Sequence, residues 1–275
     1  MRSPGLQEIM NSFSLSESDP PNLIVGGDSV IGSELGRFWS AKGVVFHSTT
    51  RRKDRVSPKR PYVDLATRDW SALNLQRYAG VVLCAGISRE ADCRMERRAT
   101  HSVNVMSTDS LVSMLNDRSR FILFLSSSQV FDGLKPNRSI HDEPSPVSEY
   151  GKQKAAAEKI VLGSSKGAVL RITKVLHQDW DLLRWWKTNL LRDYQIEAFT
   201  NRYFSPVELE KVIYKVDSLV TDQSCGLKHI SGRPEISFFD FAVGLADQLL
   251  KPRTLVKGIE CMTSNPPKFA SLRED

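Results

Sequence analysis

Five short apolar segments before residue 173 constrain the fold more than any other feature of the chain. They are residues 23–25, 44–46, 81–84, 121–125 and 168–172. Continuous apolar runs of this length are typical of strands that are covered on both faces of a parallel sheet. Helical patterns separate them, notably at 32–42, 102–116 and 150–162. This alternation predicts an α/β fold with a doubly wound parallel sheet.

The length of 275 residues suits one large α/β unit with a small appended lobe. We expect a polar tail at 1–20 and a nucleotide-binding domain at 21–173. The pattern is less regular in 174–275, where a Trp-rich segment at 178–186 precedes helical stretches at 206–220 and 238–250. This last region is expected to complete the sheet and to form a C-terminal substrate-binding lobe.

Charge and composition restrict the classes of partner. The net charge of +6 favours anionic ligands, and the densest basic run lies at 51–60. A solvated loop and a nucleic-acid surface both explain such a run, but no zinc-ligand spacing or helix-turn-helix pattern supports the second. No apolar run reaches the roughly 20 residues that span a bilayer, and the four cysteines lack metal-ligand spacing. We therefore predict a cytoplasmic protein without a metal, a membrane contact or a nucleic-acid partner.

A glycine-rich turn follows the first predicted strand and precedes the first helix. Backbone N–H groups at such a junction, together with the helix dipole, can bind a pyrophosphate. Ser29 stands where the usual pattern has its middle glycine, so a plain strand-to-helix connection remains the alternative. The candidate cofactor-binding residues of this turn are Gly26, Asp28, Ser29, Val30, Ile31 and Gly32.

The residues after the second predicted strand indicate which dinucleotide would bind. An acidic residue there binds the ribose hydroxyl of NAD, whereas a cation suits the 2′-phosphate of NADP. This chain has Arg51 and Arg52 at that point. Arg51 is the candidate for the phosphate contact because its guanidinium offers paired donors, and Arg52 is expected near the adenine. The pattern predicts NADP(H).

A possible catalytic set lies downstream. Tyr150 and Lys154 are four residues apart at the start of a predicted helix, so both lie on one face. An ammonium beside a phenol favours the phenolate, which predicts a lowered tyrosine pKa. Ser127, at the end of the fourth strand, could hydrogen-bond a substrate carbonyl, with Ser126 as the near alternative. Each element alone also occurs by chance, but their order after a nucleotide turn favours a catalytic function.

With these motifs, the chain resembles the extended short-chain dehydrogenases, and among them the dTDP-4-dehydrorhamnose reductase-like sugar nucleotide-binding proteins. The resemblance runs from about residue 22 to 250, and its specific parts are the Ser-Ser-Ser-Gln-Val-Phe-Asp-Gly stretch at 126–133 and Tyr-Gly-Lys-Gln-Lys at 150–154. It implies a Rossmann domain, NADP(H), a nucleotide-sugar substrate and a homodimer that pairs through the Tyr150 helix.

The resemblance also assigns roles. Tyr150 becomes the proton donor, Lys154 its pKa modulator and a ligand of the nicotinamide ribose, and Ser127 the hydroxyl group. Further cofactor contacts are implied for Asp64, Leu65, Cys84, Ala85 and Gly86. Candidate substrate contacts are Ser128, Gln129, Lys174, Asn201 and Arg202. Lys174 replaces an aromatic residue of the reductases, which leaves the sugar contact there open.

Residues beside the catalytic set restrict the reaction. Related dehydratases need an Asp-Glu pair where this chain has Ser128 and Gln129, so we expect no dehydration. A reductoisomerase needs a Cys and His pair, and His177 is about two positions out of register. Reduction of a nucleotide-activated 4-keto sugar is the predicted reaction. A 4-epimerase and a non-catalytic NADP-binding regulatory subunit are the alternatives, and the loss of the middle glycine and the lysine at 174 favour the latter.

Overall fold

The computed structural model of this chain describes residues 20–116, 120–262 and 268–274. The tail predicted for 1–20 therefore lies, apart from Pro20, outside the described residues. A six-stranded parallel sheet forms the centre, with strand order β10-β5-β4-β3-β1-β2. Its strands are β1 (Asn22–Val25), β2 (Phe46–Ser48), β3 (Gly80–Leu83), β4 (Phe121–Ser127), β5 (Gly167–Ile172) and β10 (Gly226–Ile230).

Helices cover both faces of this sheet. They are α1 (Val30–Lys42), α2 (Glu90–Met95), α3 (Arg97–His101), α4 (Ser107–Asn116), α5 (Glu149–Leu162), α6 (Asp181–Leu191), α7 (Leu209–Thr221) and α8 (Phe238–Gln248). A π-helical segment, Ser102–Met106, joins α3 to α4. The predicted doubly wound α/β fold is confirmed.

The two faces of the sheet pack into separate apolar cores. One core joins β1, β3 and β4 to α4 and α5, through residues such as Leu23, Leu111 and Val161. The other joins them to α1 and α7, where Trp39 and Val216 are buried. Each strand has apolar side chains on both faces, which explains the continuous apolar runs in the sequence.

A smaller lobe follows the fifth strand. Its core joins α6, α8, β7 (Ile196–Phe199) and β12 (Val256–Ile259), with Trp186 and Ala246 fully buried. Short strand pairs connect it to the main sheet, namely β6 (Lys174–Leu176) with β9 (Pro206–Glu208), and β8 (Tyr203–Phe204) with β11 (Ile236–Ser237). No described helix is long and apolar enough to cross a membrane.

Three predicted elements differ from the observed ones. The helix expected at 206–220 begins only at Leu209, because Pro206–Glu208 form β9. The second strand was expected at 44–46, but it lies at Phe46–Ser48, since α1 ends at Lys42 with Gly43 as its C-cap and Val44 still donates its N–H to Trp39 O. The helix expected at 102–116 begins earlier and contains a π-helical segment.

Candidate functional site

The strand order reverses beside β1, which lies between β2 and β3. In open α/β sheets, ligands bind at such a switch point, outside the carboxyl ends of the strands. Two adjoining cavities lie there, one of about 750 Å³ and one of about 240 Å³. Ser29, Ala85, Gly86 and Ile87 line both, so the cavities form one continuous cleft.

The glycine-rich turn has a geometry that only small residues allow. Gly26 has a positive φ of 97°, and a Cβ there would lie 2.7 Å from the backbone of Ala85. A Cβ on Gly32 would lie 2.3 Å from Gly26 O. The turn therefore brings β1, α1 and the end of β3 into close contact, and it leaves the N-terminus of α1 facing the cleft, where Val30 and Ile31 contribute to its wall.

Ser29 explains how the turn tolerates the missing middle glycine. Its backbone is extended, with φ −74° and ψ 161°, so a side chain is compatible with the conformation. Its hydroxyl accepts the Gly32 N–H at 3.0 Å and donates to Gly26 O at 2.8 Å. Ser29 is thus the N-cap of α1, a position where serine is among the preferred residues. The turn is well formed, which supports its use for a dinucleotide.

The smaller cavity lies beside the end of β2. Asp28, Thr50, Arg51, Val63 and Leu65 line part of it. The lining combines the apolar side chains of Val63 and Leu65 with a cation and a carboxylate. Arg52 lies outside the described lining of both cavities, and its N–H donates to Thr50 Oγ1. The Asp64 carboxylate accepts the Ala66 N–H, so it caps the turn that begins at Asp64 itself.

The larger cavity contains the predicted catalytic set. Ser127, Tyr150 and Lys154 all line it, together with Cys84, Ala85 and Gly86 at the end of β3. The Ser127 side chain lies near the Tyr150 hydroxyl and lowers its pKa, and the Ser127 hydroxyl accepts the Gln129 N–H at 3.2 Å. Ser126 also lines the cavity, but its buried hydroxyl has no hydrogen-bond partner among the described residues. The geometry therefore favours Ser127 over Ser126 for the hydroxyl role.

The pKa of Tyr150 differs from the one that the sequence predicted. Burial raises the pKa of Tyr150 above its ordinary value, although the nearby Ser127 side chain opposes this shift. The spacing of Tyr150 and Lys154 predicted a lowered tyrosine pKa, and that prediction is wrong for the structure as it stands. Desolvation of the phenolate is the largest cause of the raised pKa, because the ring is almost completely covered. Tyr150 is therefore a protonated phenol at neutral pH.

Burial lowers the pKa of Lys154, which is the opposite of its effect on Tyr150. Desolvation lowers its pKa to about 8, although the Glu158 carboxylate raises it. The Nζ atom donates to Leu125 O at 2.8 Å and lies 5.8 Å from the centre of the Tyr150 ring. The charge of this lysine thus changes close to physiological pH, at a position beside the phenol.

Tight packing fixes the start of the helix that carries Tyr150 and Lys154. A Cβ on Gly151 would lie 2.1 Å from Gln129 O, so α5 packs directly on the turn after β4. The Ser148 hydroxyl caps the helix through Gly151 N and donates to Gln129 Oε1. Gln129 and Ser128 both line the larger cavity. Gly151 therefore allows α5 to pack against the strand end that carries Ser127.

A buried polar network connects this helix to the loop after β3, and the sequence reasoning did not find it. Gln153 donates to Thr100 Oγ1 and accepts from Asn104, which also bonds the N–H and the carbonyl of Ile87. Asn104 lies in the π-helical segment. An unusual helical turn that places a buried amide is a recognised feature of functional sites. No periodicity in the sequence signals it.

The lobe side of the larger cavity is basic. Lys174, His177 and Arg202 line it, and the Lys174 ammonium lies 4.4 Å from the centre of the Trp180 ring. Burial lowers the pKa of both Lys174 and His177. Asn201 is not brought to this wall by the described geometry, since its amide exchanges two hydrogen bonds with the backbone of Cys261.

The family model of the RmlD substrate binding domain matches residues 22–271. The chain belongs to this family. It is 23% identical over 244 residues to a dTDP-4-dehydrorhamnose reductase of Aggregatibacter actinomycetemcomitans, covering 85% of this chain and 80% of that one. It is also 25% identical over 190 residues to the methionine adenosyltransferase 2 subunit beta of Rattus norvegicus, covering 65% of this chain and 57% of the relative.

Solved structures share the fold. A dTDP-4-dehydrorhamnose reductase from Bacillus anthracis, in complex with NADP, superposes with a TM-score of 0.79 at 14% identity, covering 94% of this chain and 90% of that one. MoeE5 in complex with UDP-glucuronic acid and NAD gives 0.76 at 18% identity, covering 92% and 89%. Members of this fold thus bind either dinucleotide, and nucleotide sugars beside it.

Proposed function

We propose that this protein is an NADP(H)-dependent reductase that acts on the 4-keto group of a nucleotide-activated sugar. The observation that carries the proposal is that Ser127, Tyr150 and Lys154 line one cleft, into which the glycine-rich turn also faces through Ser29. Family membership and the reductase relative support it.

The residues of the cleft fit a dinucleotide. The turn at Gly26 and the N-terminus of α1 would hold the pyrophosphate, Val63 and Leu65 the adenine, and Arg51 a 2′-phosphate. Ala85 and Gly86, at the end of β3, offer a flat wall for the nicotinamide end. When bound, the reduced cofactor would supply a hydride for the sugar carbon.

Side chains of the protein would bind the carbonyl oxygen of the sugar and supply the proton that it takes up. The Ser127 and Tyr150 hydroxyls would hydrogen-bond the carbonyl oxygen, and Tyr150 would give it the proton that completes the new hydroxyl group. A raised pKa suits this direction, because the phenol carries its proton at neutral pH. The Lys154 ammonium would stabilise the phenolate that remains. Lys174 and Arg202 face the space where an anionic nucleotide would lie.

The reductase proposal is tested by mixing the purified protein with NADPH and a panel of dTDP-, UDP- and GDP-linked 4-keto sugars. We expect the absorbance of the reduced nicotinamide to fall with at least one of them. The matched 4-hydroxy sugars serve as controls and should leave the absorbance unchanged. Binding of NADPH without oxidation across the panel would contradict the proposal.

A non-catalytic subunit is the second candidate, and a specific observation favours it. Relatives with the name methionine adenosyltransferase 2 subunit beta match the chain at 22–25% identity, although the chain spans only 57% of the length of most of them. A protein that only binds the dinucleotide would still use the turn and Arg51. The complete set of Ser127, Tyr150 and Lys154 favours the reductase. A pairing of two copies through α5 and a cytoplasmic location stay predictions.

The cofactor assignment makes a separate prediction for Arg51. Its side chain borders the smaller cavity and is exposed, so its removal should leave the fold intact. We expect Arg51→Ala to weaken NADPH binding by about 10-fold or more and NADH binding much less, because only NADPH carries the 2′-phosphate. Fluorescence titration with each nucleotide measures both effects. Arg52→Ala is the neighbouring control, and equal losses for the two nucleotides with Arg51→Ala would refute the assignment.

A further inference from the structure

The carboxylate of Asp28 lies at the end of β2, although the residue belongs to the glycine-rich turn. Its Oδ2 atom accepts the Thr50 hydroxyl at 2.6 Å and the Arg51 N–H at 3.3 Å. Both partners follow β2 directly. Asp28 and Arg51 line the smaller cavity together, at the end of β2 where the adenosine ribose would lie.

This position has a known meaning in dinucleotide-binding folds. A carboxylate at the end of the second strand accepts a hydrogen bond from the ribose 2′-hydroxyl of NAD, and it repels the 2′-phosphate of NADP. The residues that follow β2 in this chain, Thr49 to Arg52, contain no acid. Asp28 brings the missing carboxylate to the same place from a different segment.

Basic side chains hold this carboxylate in its ionised form. Arg60 donates to Oδ1 at 2.6 Å, and Arg55 lies 3.8 Å away. Burial alone would raise the pKa of Asp28, but the hydrogen bonds from Thr50 and Arg51 and the charge of Arg60 lower it overall. The ribose end of the cleft therefore contains both an acceptor for a hydroxyl and donors for a phosphate.

We propose that Asp28 determines the choice between NAD(H) and NADP(H), by opposing the preference that Arg51 gives for the 2′-phosphate. This inference rests on the proposed function only in that the cleft binds a dinucleotide. Its consequence is that the protein binds NADH as well as NADPH, with dissociation constants within about 10-fold of each other. The Asp28–Arg60 pair sets this balance, because Arg60 partly neutralises the carboxylate.

Replacing Asp28 by asparagine tests the proposal. The amide keeps an oxygen for the Thr50 hydroxyl and removes the negative charge, so repulsion of the 2′-phosphate disappears and Arg60 becomes available to it. We expect the ratio of the NADH to the NADPH dissociation constant to rise by about 10-fold, since one charge at this range has an effect of that size. Nicotinamide fluorescence, titrated with each reduced nucleotide, gives the ratio directly.

Two further variants make the test specific. Asp54→Asn removes an exposed carboxylate from the loop after β2 and should leave the ratio unchanged. Arg60→Ala removes the partner and leaves the Asp28 charge in place, so the ratio should fall. If the Asp28→Asn protein does not fold, the Arg60→Ala variant tests the proposal in its place.

The results separate this inference from the proposed function. Binding of both nucleotides with a ratio that Asp28→Asn leaves unchanged or lowers would overturn the role of Asp28 alone. A ratio that rises with Arg60→Ala would do the same. Failure of the wild-type protein to bind either nucleotide would overturn the proposed function as well.

Discussion

Tyr150→Phe is expected to reduce the rate of NADPH oxidation with an accepted 4-keto sugar by about 100- to 10,000-fold, the usual effect of losing a general acid. The variant removes the phenolic hydroxyl that lies beside Ser127 in the cleft and is the proposed proton donor. NADPH binding should be unchanged, because the turn and Arg51 are untouched. Stopped-flow absorbance and fluorescence titration measure the two quantities separately.

Tyr214, on the exposed side of helix α7, provides a matched control. Tyr214 lies on α7, is half exposed, and bonds only to Glu210 among the hydrogen bonds of the described structure. Tyr214→Phe removes a phenolic hydroxyl outside the cleft and should keep the full rate. If Tyr150→Phe oxidised NADPH at the wild-type rate, another group would be the proton donor. If neither the wild type nor the variant turned over while both bound NADPH, the regulatory alternative would be favoured.

Lys154 gives the reaction a defined dependence on pH. Its folded-state pKa of about 8 is below the ordinary value, because burial disfavours the ammonium. The positive charge that stabilises the developing phenolate is therefore present below pH 8 and lost above it. The rate of reduction should fall as the pH rises through this value. This fall should affect the rate of the chemical step alone.

The sequence predicted the parts of this site that depend on short-range order. Apolar runs of strand length identified β1, β3, β4 and β5, and residues at their carboxyl ends meet at one edge because the strands are parallel. The i, i+4 spacing of Tyr150 and Lys154 needs only a helix to place both on one side. For these residues, local pattern and topology determine the position in the cleft.

Other features depend on contacts that no local pattern encodes. The raised pKa of Tyr150 results from burial by distant segments, which the spacing to Lys154 does not reveal. Arg60 reaches Asp28 only because the loop after β2 folds back, with Ser57 and Arg60 bonded to each other. Asn104 depends on a π-helical segment, and the sequence there is compatible with a regular helix. Sequence reasoning therefore predicted Ser127, Tyr150 and Lys154 as residues of one site, but not the groups that set their charge and orientation.

The second large effect is expected from the buried ion pair behind the catalytic helix. Glu158 lies on α5, one turn after Lys154, and its carboxylate takes bonds from Arg171 Nε at 2.9 Å and Nη2 at 2.7 Å. Both side chains are at most 3% exposed. The guanidinium also lies 4.9 Å from the centre of the Phe131 ring. This pair joins the catalytic helix to β5.

Breaking the pair from one side should destabilise the protein strongly. Glu158→Gln leaves the Arg171 guanidinium buried without its counter-charge, so we expect the free energy of unfolding to fall by about 3–5 kcal/mol in urea titrations. Glu158→Leu combined with Arg171→Met removes both charges and should cost less than the sum of the two single changes. Additive losses would show that the two charges act independently, against the geometry of the pair.

The same substitution should also change the chemistry, because Glu158 is the group that most raises the pKa of Lys154 against the effect of burial. Without its carboxylate, the ammonium of Lys154 loses a stabilising charge and deprotonates at a lower pH. In Glu158→Gln protein that remains folded, the fall in the reduction rate should therefore begin below the wild-type pH of about 8. A purely structural role for Glu158 would lower the amount of folded protein without moving the profile. A profile that shifts to lower pH would show that the buried pair stabilises the fold and also keeps Lys154 charged near neutral pH.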